Sequence, residues 1–300
     1  MVGKGHRPGV ALRRYYCRSV ATARTRLAGG YRNQVWKLRS GRGFVVEKDY
    51  AEDPGRANPM YPNLPDHEAA AMRHLAGTGC APELVSYRPA LEEVGAQVVY
   101  RYVAGTQWRS GGAEVAHLLA RVHAVRAPKG MRRLHRSAAE ALTHADEMVA
   151  DTATATLRRT MDSARPEPSR GAPATRLSLV HTDCGPGNIV RTRHGLVLID
   201  WQCPGLGDPV EDVACFLSPA MMVLYQSAPH SPGARQSFLD AYAGHDQTAV
   251  DRYLRDGAAW HFRIAAYCTW RIPHTSRRQP EVAQRYREAL AAELAFLEAW

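Results

Sequence analysis

The chain has 300 residues, 45% of them hydrophobic, and a formal net charge of +10, which is apolar material enough for one large or two modest domains. The positive charge would suit nucleic acid or an anionic nucleotide, but the Arg residues are scattered and no zinc-finger, RNA-recognition or basic-arm pattern accompanies them, so no nucleic-acid partner is expected. No run is apolar enough to span a bilayer and no secretory h-region follows the basic start, so the expectation is a soluble, cytoplasmic protein without a membrane partner.

Residues 1–25 combine Arg and Tyr with weak periodicity and suit a short leading helix or arm. Val35–Leu38 and Phe44–Val46 read as two strands joined by the polar turn Ser40-Gly41-Arg42-Gly43. After a Pro-rich loop from Asp53 to Pro65, Asp66 stands where a helix cap belongs, ahead of a helix over 68–75 that stops at Gly77 and Gly79. Val98–Val103 forms another strand. From there helices dominate: one over 115–123, one or two between Ser137 and Met161, then a proline-broken loop over 165–173, since proline lacks the amide donor a helix needs. Leu177–Val180 and Leu196–Ile199 are short strands bracketing a Gly-Pro-Gly loop, and beyond Pro209 the pattern is helical to the end. Strands first and helices after predict an α+β protein of two lobes, 1–103 and 104–300. Across 201–300 nine Arg and no Lys face eleven acids, so the basic excess, and with it any nucleotide site, lies earlier in the chain.

Phosphoryl transfer needs its phosphates held, their charge neutralised by metal, and an attacking hydroxyl oriented beside a carboxylate. Two separate carboxylates are therefore required, and His181-Thr182-Asp183-Cys184-Gly185-Pro186-Gly187-Asn188, followed by Leu198-Ile199-Asp200-Trp201, supplies them. Asp183 leaves a strand into a loop, Asn188 offers an amide oxygen to a hard cation, and Asp200 ends the next strand.

This H-x-D-x-x-x-x-N spacing, a hairpin, then I-D-W resembles the motifs of the aminoglycoside phosphotransferase and choline kinase superfamily, which has a bilobal protein-kinase-like fold. The resemblance implies a small antiparallel N-lobe, a larger helical C-lobe, and ATP and Mg2+ as cofactors. It makes Asp183 the catalytic base, Asn188 and Asp200 the metal ligands, and His181 the brace of the loop. Gly207-Asp208-Pro209-Val210-Glu211-Asp212-Val213-Ala214 resembles a further family element in which Asp212 bonds to catalytic-loop backbone. Upstream, Gly29 and Gly30 resemble the nucleotide loop, Lys48 the phosphate-binding lysine, Glu68 its helix partner, and Val99, Tyr100 and Tyr102 part of the hinge between lobes. The loop at Gly29-Gly30 lacks the fuller G-x-G-x-x-G of protein kinases.

The implied activity is ATP-dependent transfer of a phosphoryl group to a small-molecule hydroxyl acceptor: a choline-like, thiamine-like or sugar alcohol, or an aminoglycoside. A catalytically silent nucleotide-binding module is the alternative, suggested by the imperfect Gly-rich loop and by Glu47 beside Lys48. No oligomeric state is legible. Ser218–Tyr225, Trp260, Tyr267 and Trp270 are places to look for acceptor binding, by cation-π contact or, through Arg263 and Arg271, by anion pairing; the same aromatics also fit plain core at helical spacing. His123 reads as a hydrogen-bonded packing residue, Trp201 as packing behind Asp200, and Asp208, Glu211 and Asp212 as structural acids at a helix start. The six cysteines are dispersed without a C-x-x-C pair, and Cys184 and Cys203, close to both carboxylates in sequence, read as inert buried thiols rather than a redox site.

Overall fold

Alternation of side chains along short strands builds the first sheet. In the computed structural model, which describes residues 24–27, 33–41, 43–51, 58–91, 94–151, 154–167, 171–276 and 279–300, five antiparallel strands run in the order β1-β2-β3-β5-β4. These are β1 (Arg24–Arg26), β2 (Gln34–Ser40), β3 (Gly43–Asp49), β4 (Leu84–Arg88) and β5 (Gln97–Arg101). The expected hairpin is β2 and β3, closing at Ser40 opposite Gly43, where Gly43 takes φ 132°, a value that favours glycine. On β3, Val46 and Lys48 are buried, and on β5 so are Val98 and Tyr100, because residues two apart share a face. Helix α1 (Pro65–His74) contributes buried Glu68, Ala69, Ala71 and Met72.

The cap expected at Asp66 is not one. Pro65 opens α1 and Asp66 lies inside its first turn, where an acid suits the helix dipole and proline's missing N–H costs nothing. Strands β1 and β4 were invisible to periodicity: β1 is three exposed residues, and β4 carries no clean alternation.

The remainder is helical: α2 (Gly112–Ala124), α3 (Ala138–Ala150), α4 (Ala155–Ala164), α5 (Val210–Leu217), α6 (Pro219–Leu224), α7 (Pro232–Ser276, broken at Asp246) and α8 (Pro280–Glu298). Leu118, Leu119, Phe216, Phe238, Trp260 and Phe262 are fully or almost fully buried among these helices, each contributing about 1.5–3 kcal/mol of hydrophobic stabilisation. Among the described residues no helix is long and apolar enough to cross a membrane.

The two strands expected around the Gly-Pro-Gly loop are present but are not partners. β7 (Ser178–Val180) pairs with β10 (Gly205–Gly207), whereas β9 (Gly195–Leu198) pairs with β8 (Ile189–Thr192), itself paired with β6 (Thr106–Gln107). The loop from His181 to Asn188 therefore leaves one small sheet and enters another, which fixes both its ends. The two parts of the molecule meet through backbone bonds from Leu64 N to Gln202 O and from Leu198 N to Cys80 O, both 2.9 Å.

Candidate active site

The catalytic-type loop hangs on one carboxylate. Asp212, fully buried near the start of α5, accepts from His181 N at 2.8 Å and Thr182 N at 2.7 Å, and its Oδ2 also meets His123 Nε2 at 3.0 Å. His123 in turn meets the Tyr242 hydroxyl at 2.6 Å. These bonds hold Thr182 at φ 70°, a left-handed conformation that costs a β-branched residue about 1–3 kcal/mol. The Thr182 hydroxyl adds a bond to Cys203 O at 2.9 Å.

From that anchor the loop ties itself to the next strand. His181 Nε2 lies 3.0 Å from Ile199 O, Ile199 N donates to Asn188 O at 2.9 Å, and Asn188 Nδ2 donates to Asp183 O at 2.8 Å. Asp183, Asn188 and Asp200 are thereby set on one wall. Asp200 also has a left-handed φ of 62°, with Trp201 fully buried behind it, donating to Leu198 O at 3.0 Å and meeting His181 edge-on at 4.5 Å. Burial and the neighbouring Asp200 charge push the Asp183 carboxyl up to about 7, against opposing hydrogen bonds from Tyr225 and Asn188.

Against this wall, Lys48 Nζ lies 2.5 Å from Asp200 Oδ1 and 3.1 Å from Glu68 Oε2. Burial disfavours its charge, but Asp200 and Glu68 outweigh that and hold the ammonium well above the usual lysine range. Tyr50 bonds to Glu68 through its hydroxyl, and Tyr100 is buried on the same sheet face, its own pKa raised by burial and by Glu68. Of the expected hinge residues, Tyr100 thus joins the Lys48 group. Tyr102 instead sets its ring 3.8 Å from the Lys37 ammonium, and Val99 sits at the alternate strand position, opposite Glu47. Gly29 and Gly30 lie outside the described residues.

Several other expectations sort cleanly. Asp208 pairs with Arg252 at 2.8 Å and Glu211 with Arg263 at 2.5 Å, so these acids are structural partners and Arg263 is committed inside the fold. Trp260, Tyr267 and Trp270 are buried core; Tyr267 accepts from Asn58 Nδ2 at 2.9 Å and packs edge-on against Tyr61. Cys184 and Cys203 are fully buried, and burial raises both thiols.

Tyr225 ends the segment Ser218–Tyr225 that the sequence marks as a place to look for acceptor binding, without singling this residue out. Its hydroxyl donates to Asp183 Oδ1 and accepts from Asn188 Nδ2, both at 2.9 Å. Its ring lies along the loop so closely that a Cβ at Gly185 or Gly187 would overlap it. Neither glycine has a positive φ, so the space taken by the ring, not turn geometry, requires them. The Gly-Pro-Gly spacing was the available signal, since two glycines that are not turn-formers imply a large neighbour.

The profile of the phosphotransferase enzyme family matches residues 23–253. The chain belongs to that family. No curated protein sequence matches it. Solved phosphotransferase structures of similar fold include a Ralstonia eutropha protein named as an aminoglycoside phosphotransferase, 15% identical with a TM-score of 0.68 over 94% of each chain. The choline kinase of Streptococcus pneumoniae is 17% identical with a TM-score of 0.60 over 91% of this chain and 93% of that one. Amicoumacin kinase, solved with AMP-PNP and Ca2+, is 14% identical with a TM-score of 0.58 over 92% of this chain and 88% of its own. At such identities the shared property is the fold: an antiparallel sheet followed by a helical part.

Proposed function

We propose that this phosphotransferase-family chain moves the γ-phosphate of ATP to a hydroxyl of a small molecule. The observation that carries the reading is the Lys48 ammonium joining Glu68 to Asp200, whose charge acts on the neighbouring Asp183. Residues 1–103 would form the nucleotide lobe and 104–300 the catalytic lobe, with Gly29, Gly30, Val99, Tyr100 and Tyr102 bordering the nucleotide. Lys48 then exchanges Asp200 for phosphate oxygens, Glu68 keeps its hold on the ammonium, and Asp183 accepts the proton of the acceptor hydroxyl. His181 and Asp212 keep the loop in place.

The donor set fits magnesium. Asn188 spends its nitrogen on Asp183 O and the Tyr225 hydroxyl, which leaves its oxygen for a cation, and the Asp200 side chain is 34% exposed. Among the described residues no three His, Cys, Asp or Glu form a closed metal cage, which suits an ion that shares its coordination with phosphates and water. Asp200 and Asn188 would hold it. Bound there, magnesium supplies charge neutralisation at the phosphates.

Support for a nucleotide comes from the AMP-PNP complex of the similarly folded amicoumacin kinase. The test is ADP release from ATP by purified protein against a panel of choline-like, thiamine-like and sugar alcohols and aminoglycosides, with and without Mg2+. Magnesium-dependent release stimulated by at least one alcohol is the expected outcome; absence of ATP binding would overturn the reading.

A further inference from the structure

A base that takes a proton from an alcohol will also take one from water, and in a ligand-free cleft water is far more abundant. Whatever sits on the Asp183 carboxylate when no acceptor is bound therefore decides how much ATP is wasted. In this chain one of the two carboxylate oxygens is taken by a hydroxyl of its own: Tyr225 donates to Asp183 Oδ1 at 2.9 Å while accepting from Asn188 Nδ2 at 2.9 Å. An acceptor alcohol must bring its O–H within hydrogen-bond reach of the same carboxylate.

We propose that Tyr225 is a stand-in for the acceptor hydroxyl, a positioning residue that occupies Asp183 in the absence of acceptor, keeps water off it, and yields when an alcohol enters. The inference rests on the phosphotransfer reading above.

The anchoring of α6 makes this exchange feasible. Its start is locked: Ser218 Oγ and Ala220 N both donate to Glu293 Oε2, at 2.7 and 2.8 Å, and Glu293 Oε1 meets His261 Nδ1 at 2.6 Å, all in the buried interior. Among the described residues no buried carboxylate ties the end of α6, which is closed by backbone bonds from Gln226 N to Val223 O at 2.9 Å and from Ser227 N to Met222 O at 2.8 Å. Tyr225 follows its last turn, and Gln226 adopts φ 56°, a left-handed conformation disfavoured for a residue with a side chain. Ring placement over Gly185 and Gly187 supplies shape without a polar bond other than the two at the hydroxyl. Displacing the phenol thus exchanges one hydrogen bond on Asp183 for another and releases the bond from Asn188 Nδ2, which keeps its bond to Asp183 O.

The reaction it restrains is hydrolysis. Water oxygen bonds to the γ-phosphorus, the bond from that phosphorus to the bridging oxygen of ATP breaks with its electrons leaving on ADP, and the water proton passes to Asp183. ADP and phosphate result, with no further reactant.

The experiment measures acceptor-free ADP release from Mg·ATP by full-length wild type, Y225F and the double variant Y225F/D183N, with Mg·ATP binding and thermal melting followed in parallel. Y225F is expected to release ADP about 5-fold faster than wild type, the factor that one ordinary net hydrogen bond represents, and the double variant to fall below wild type. A merely structural tyrosine would give a slower Y225F. Release at or below the wild-type rate in a Y225F protein that still binds Mg·ATP overturns the proposal. Phosphate found on Tyr225 of the wild type by intact mass would also overturn it, because the phenol would then be an acceptor. Failure of wild type to bind Mg·ATP would instead bring down the phosphotransfer reading. Should Y225F not fold, G187A, which displaces the ring while keeping the phenol, must show the same rise.

Discussion

Two buried carboxylate clusters border the cleft, and they are built to different ends. Around Asp212, acceptors and donors come from one part of the molecule and are fully engaged: two backbone N–H groups, His123, and Tyr242 behind it. Around Lys48, charges come from both parts, with Glu68 on α1 and Asp200 at the end of β9 sharing one ammonium. The first cluster has no free valence to offer a ligand. The second has one bond, Lys48 to Asp200, that a phosphate can replace without leaving Lys48 unpaired, since Glu68 remains. Immobile support and exchangeable charge are thus separated in space, and only the latter should respond to nucleotide.

Substitutions can break this contrast, and the largest effect belongs to Asp183, the proposed base. D183N is expected to lower kcat about 10²–10⁴-fold with an unchanged melting curve. In the same assay kcat/KM of the wild type should fall as pH drops through about 7, because a carboxyl raised to that value is protonated, and useless as a base, below it. Next comes D212A, which orphans two buried N–H groups and His123; it should cost about 3–5 kcal/mol of stability, read by denaturant unfolding. K48M should lower kcat/KM for ATP about 10²–10³-fold and, because it leaves the buried Glu68 carboxyl without its ammonium, should also lose stability, though less than D212A because burial already raises Glu68 to about 7 and it can take up a proton. If K48M instead unfolded the protein and D212A left it intact, the assignment of the two clusters would be reversed.

The smallest effect sharpens the same division away from the cleft. Burial disfavours ionisation of Glu211, but Arg263 and His135 outweigh it and hold the carboxyl down to about 2. A carboxyl lowered in the folded state stabilises above its ordinary value of 4.5 and loses that contribution as pH falls toward 2. E211Q should therefore melt below wild type at neutral pH by about 1–3 kcal/mol, with the gap narrowing below pH 4.5 and phosphotransfer little changed.

How much of this was legible depended on whether a residue's partner lay nearby in sequence. His181, Asp183, Asn188 and Asp200 fall within twenty positions, so that their spacing could be matched to a family motif. Lys48 and Glu68 could be paired only through resemblance, because the strand and helix that join them are brought together by β3 and α1 packing on a shared core. Tyr225 was not singled out for the same reason in a stronger form: its bond to Asp183 spans forty-two residues, and the α6 segment that carries it is positioned by Glu293 in the last helix. Local spacing did show the hairpin of β8 and β9, whereas β7 finds β10, which lies beyond that hairpin and was not read as a strand. The aromatics Trp260, Tyr267 and Trp270, which helical spacing allowed as either core or a ligand wall, are core.

The most direct test of the central claim is transfer of labelled γ-phosphate from ATP to an accepting alcohol by wild type, D183N and D200N across a magnesium titration. The prediction is that D183N keeps the wild-type magnesium dependence at a greatly reduced rate, whereas D200N needs far more magnesium to transfer at all. Equal transfer by all three proteins, with no response to magnesium, would contradict the account.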